Sequence, residues 1–267
     1  MCDGGEILSL IEKCDQAYQK AKSVLPDVTG NVLDKSVGYR IKSSFVRALV
    51  RKLHAAAEES SNESYTQEYH ALFELILTAL FSEAAQIGFS GEFCAITMLE
   101  LIKLGLPERI ENIALFGRNA DNQPIDYSII VVNRDMPQSR DDDRLAHLHQ
   151  WGSTNIMIPH LNKPLQRSGN ELVVNDIKPT NMTKLEEIKT LLQSFGPMTA
   201  KEWIVIKGFL NELMTHVSKK TVKRFMCYNS EYKNVIVPSQ LASALTKKLA
   251  ELIRFAEQKI QEERVLS

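Results

Sequence analysis

The sequence predicts an α+β protein in which a small antiparallel sheet packs against helices, with helical segments at both the N- and the C-terminal end. Two observations carry that expectation. Apolar residues recur at three- and four-residue spacing from Ile7 to Leu104 and again after Pro179, the repeat of helices with one buried face. Between Ile110 and Val174 the apolar runs are instead short, rich in Ile and Val, and broken by Gly, Asn, Asp and Pro, the pattern of strands and turns.

Taken in order, Ile7, Ile11, Cys14, Tyr18, Ala21 and Leu25 define an amphipathic first helix that Pro26 ends. Asp34 can cap a second helix running to about Ala57, apolar on one side and lined by Arg40, Lys42, Arg47, Arg51 and Lys52 around the other. The polar run Glu58 to Ser64 reads as a loop. A third helix follows from about Tyr65 to Gln86, apolar over more than one face and therefore central to the packing, with Gly88 as its stop. The fourth helix spans Ser90 to Leu104.

Ile110 to Phe116 and Tyr127 to Val132 then form a hairpin across a long turn, and Asn155 to Ile158 and Glu171 to Val174 are two further short strands. Asp135 to Arg144 is a charged surface excursion. Two capping boxes, Thr183 with Glu186 and Thr199 with Glu202, each head an apolar periodic run, so a helical hairpin is expected with its turn at Gly196-Pro197. Pro238-Ser239 opens the last helix. The expected division is 1–178 for the α+β part with its N-terminal helices and 179–267 for the C-terminal helical segment, either as a separate unit or as part of the same domain.

Composition bounds the function. Of 267 residues 44% are apolar and 24% charged, as in an ordinary soluble globular protein. A formal net charge of -1 argues against a dedicated nucleic-acid binder, which carries a basic excess. The four cysteines, Cys2, Cys14, Cys94 and Cys227, show neither metal-ligand spacing nor a disulfide framework, which suits a reducing compartment. No apolar stretch is long enough to span a bilayer, and no secretory signal opens the chain. A cytoplasmic protein is expected, or one delivered into a host cell without a cleaved signal peptide. No cofactor or metal is implied: there is no Gly-rich phosphate loop, nucleophile elbow or HExxH string, and Asp141, Asp142 and Asp143 beside His147 and His149 fit no metal geometry.

The stretch from Ser90 to Leu161 carries what chemistry the sequence offers. A cysteine in the first turn of a helix has its thiolate stabilised by free backbone N–H groups and the helix dipole, and Cys94 is expected to sit there. Gly91-Glu92-Phe93-Cys94, the helix ending Lys103-Leu104-Gly105, the strand after Asp126-Tyr127, and Trp151-Gly152 followed by Ile156-Met157-Ile158-Pro159-His160-Leu161 together resemble the core of bacterial papain-like effectors. That family of deamidases, transglutaminase-like enzymes and proteases uses a Cys-His-Asp triad. Its pattern is Gly-Asn-Cys heading a helix, Asp-His heading a strand, and Trp-Gly before a short strand ending Asp-Pro-Trp.

Carried over position by position, the resemblance places the nucleophile on Phe93, or on Cys94 with a one-residue slip, the histidine on Tyr127 and the aspartate on Pro159. A phenol with a pKa near ~10 is a poor base near neutrality. Proline has no side-chain acceptor. The resemblance thus implies a papain-like core in the 1–178 part, with a degenerate triad: a pseudoenzyme, an effector or effector regulator whose partner is another protein. Two alternatives remain open. One is an active thiol deamidase, transglutaminase or protease with Cys94 as nucleophile, His160 (or His147 or His149) as base and Asp126 orienting it. The other is a helical interaction module unrelated to papain-like enzymes.

Overall fold

The computed structural model describes residues 4–25, 37–60, 67–118, 124–132, 156–158, 166–168, 171–173, 189–218 and 239–266. Its elements run α1 (Gly4–Val24), α2 (Val37–Ser60), α3 (Gln67–Ala85), α4 (Ser90–Lys103), β1 (Ile110–Arg118), β2 (Pro124–Val132), β3 (Ile156–Ile158), β4 (Gln166–Ser168), β5 (Glu171–Val173), β6 (Lys189–Phe195), α5 (Ala200–Ser218) and α6 (Ser239–Leu266). The α+β class expected from periodicity holds.

Contacts divide the chain into two compact units, each discontinuous in sequence: residues 1–35 with 88–197, and residues 36–87 with 198–267. The α2–α3 pair interrupts the first unit, and the chain returns to complete the second with α5 and α6.

In the first unit the strands form one sheet in the order β4-β5-β3-β2-β1-β6. β1 and β2 pair antiparallel along their whole length, from Ile110 opposite Val132 to Arg118 opposite Pro124, which is the hairpin read from the sequence. β3 pairs antiparallel with β2, but parallel with β5 through Ile156 and Leu172, so the sheet is mixed rather than purely antiparallel. No strand is expected from the sequence between Ile158 and Glu171, yet β4 lies there and pairs antiparallel with β5. One helix is overturned outright: Lys189–Phe195 is a strand, β6, antiparallel to β1 from Phe195 opposite Ile110 to Lys189 opposite Phe116. The spacing of Ile188, Leu192 and Phe195 suits a helix, but over so short a run periodicity decides little, and the ladder offered by β1 settles it. The Thr183–Glu186 box lies outside the described residues.

α4 packs on β2 and β1, and α1 packs on α4 and β3. α4 is almost wholly enclosed: Phe93, Cys94, Ala95, Ile96, Thr97, Met98, Leu99, Leu101 and Ile102 are all buried. A helix so apolar all round has no solvent stripe and sits where layers meet. The α3–α4 connection turns through Gln86, a non-glycine residue at φ 52, rather than through Gly88, the expected stop.

The described elements of the second unit are helices. α2 packs on α3 and α5, α3 on α6, and α5 on α6. Phe73 of α3 and Phe209 of α5 stack with ring centroids 3.8 Å apart and planes 8° from parallel. Trp203 of α5 meets Phe255 of α6 edge to face at 5.5 Å. Glu83 of α3, nearly buried, is held by Lys248 of α6 at 2.7 Å. The capping box at α5 forms as expected: Thr199 N donates to Glu202 Oε2 at 2.6 Å, and Glu202 N donates to Thr199 Oγ1 at 3.4 Å.

Candidate functional site

The candidate site is the N-terminal half of α4 and the strand it covers. Phe89 is the N-cap and Ser90 the first helical residue, so Cys94 is the fifth residue of the helix rather than a member of its first turn. Phe93 N already donates to Phe89 O at 2.9 Å, the first intrahelical bond. The free N–H groups that would stabilise a thiolate lie upstream of Cys94. The expectation of dipole activation is therefore corrected by the helix start itself.

One donor at this end is met from within. Glu92, at the third helical position and 3% exposed, turns back so that its carboxylate accepts the Phe89 N–H at 2.8 Å. This is the carboxylate half of a capping box, and it lies two residues from Cys94. Glu92 is absent from the site residues expected from sequence, although a glutamate three residues after a helix cap is the signal for it.

Cys94 is 1% exposed. Burial pushes its thiol far above the ordinary cysteine range, and the neighbouring Glu92 carboxylate pushes it further the same way. A thiol in this setting stays protonated near neutrality and is a poor nucleophile. Phe93, the alternative nucleophile position, is a core residue: its ring meets that of Tyr18 of α1 edge to face at 5.8 Å. Both residues therefore face packing.

α4 does lie against the strand that carries Tyr127. A Cβ added to Gly91 would meet Ser128 Oγ at 3.9 Å, an ordinary van der Waals contact. In the β1–β2 register Tyr127 stands opposite Leu115 and Asp126 opposite Phe116. His160 and Pro159 lie outside the described residues, as do His147 and His149. The histidines that are described, His54, His70 and His216, belong to helices of the other unit.

Arg109 Nη2 and Glu111 Oε1 pair at 2.9 Å at the start of β1, with Glu111 1% exposed. Cys14, fully buried on α1, has its thiol pushed up to about 12 by burial and by the Glu108 carboxylate. Among the described residues no group of three or more His, Cys, Asp or Glu side chains could hold a metal ion. Among them, too, no single helix is long and apolar enough to cross a membrane. Comparison with protein-family models, curated proteins and solved structures finds no match to this chain.

Proposed function

We propose that this chain is a non-catalytic protein that acts by binding another protein, built on a degenerate papain-like frame. The observation that carries the reading is Cys94: 1% exposed, past the first turn of α4, beside a carboxylate, and with its thiol shifted toward the protonated form. A nucleophile needs the opposite of each. The packing of α4 on β2 is an arrangement the frame requires, since it sets the cysteine helix on the strand that carries Asp126-Tyr127. The effector class comes from the resemblance of the Ser90 to Leu161 motifs.

The test is Cys94→Ala in whatever cellular effect the protein produces, together with labelling of the native protein by iodoacetamide near neutral pH. An unchanged effect and a Cys94 left unlabelled support the reading. Loss of the effect in a variant that still folds, or rapid labelling of Cys94, would overturn it in favour of an active thiol enzyme.

A further inference from the structure

We draw no further inference here: the strongest candidate, the groove between α5 and α6 lined by Ile204, Ile260 and Gln261 beside the Lys207–Glu257 ion pair, is an apolar surface for which nothing in the structure shows what covers it.

Discussion

The Glu92 carboxylate accepts the Phe89 N–H at 2.8 Å in a buried setting, and so occupies one of the backbone donors at the start of α4. Removing that acceptor strands a backbone donor inside the protein. Glu92→Ala is expected to destabilise the fold by about 1–3 kcal/mol, and Glu92→Gln, which keeps an acceptor, by less. Urea denaturation reads this as a lower midpoint at an unchanged slope. Equal midpoints for Glu92→Ala and the parent would show that the cap contributes nothing.

The same turn leaves no room before the helix. A Cβ on Gly88 would come within 2.5 Å of Glu92 Cβ and 3.0 Å of Leu25 Cδ1. Gly88→Ala must therefore displace the capping glutamate, and overpacking of this kind costs about 1–3 kcal/mol. Because both changes act on one cap, Gly88→Ala combined with Glu92→Ala should cost less than the two singly measured effects added together.

Two buried thiols give the protein an alkaline limit. Cys14 is raised from 9.0 to about 12 and Cys94 is raised as well, in both cases first by burial. In the unfolded chain each thiol loses its proton near its ordinary value, while the folded chain holds it longer, so the folded state binds more protons between about pH 9 and 12. Stability is then fully present below about pH 9 and falls as pH rises through that window. Tyr18, also raised by burial and by Asp15, adds to the decline in the same direction. Cys14→Ala/Cys94→Ala should flatten the slope of unfolding free energy against pH between about 9 and 11, whatever it does to stability at neutral pH.

Sequence periodicity alone locates most of the fold. α1, α4, α5, α6 and the β1–β2 hairpin are where the apolar spacing puts them, because each is long and buries one continuous set of residues. β6 escapes that reading for a different reason: the spacing of Leu192 and Phe195 suits a helix, and only the neighbouring β1, distant in sequence, makes it a strand. β4 and the parallel β3–β5 pair are hidden in the same way, being three-residue elements defined by partners. At the site, Cys94 near a helix start is legible, but its depth is not. Counting from Ser90 places it one turn in, and the burial that silences its thiol comes from α1, β1 and β2 packed around α4.

The second unit depends on a contact that no sequence window displays. Phe73 and Phe209 are both fully buried and stack at 3.8 Å, joining α3 to α5 across more than a hundred residues of chain. Phe209→Ala would remove one ring and leave a cavity against the other, at a cost of about 3–5 kcal/mol. Phe209→Leu retains much of the volume and should cost distinctly less. His54 of α2 also meets Phe209 edge to face, at 5.9 Å, so the lost ring loosens three helices of this unit at once. Hydrogen exchange on Phe209→Ala should accelerate most at amides of residues 67–85 and 200–218, while amides of α4 and β2 keep their protection. Equal acceleration in both sets would mean that the two units open as a single cooperative body.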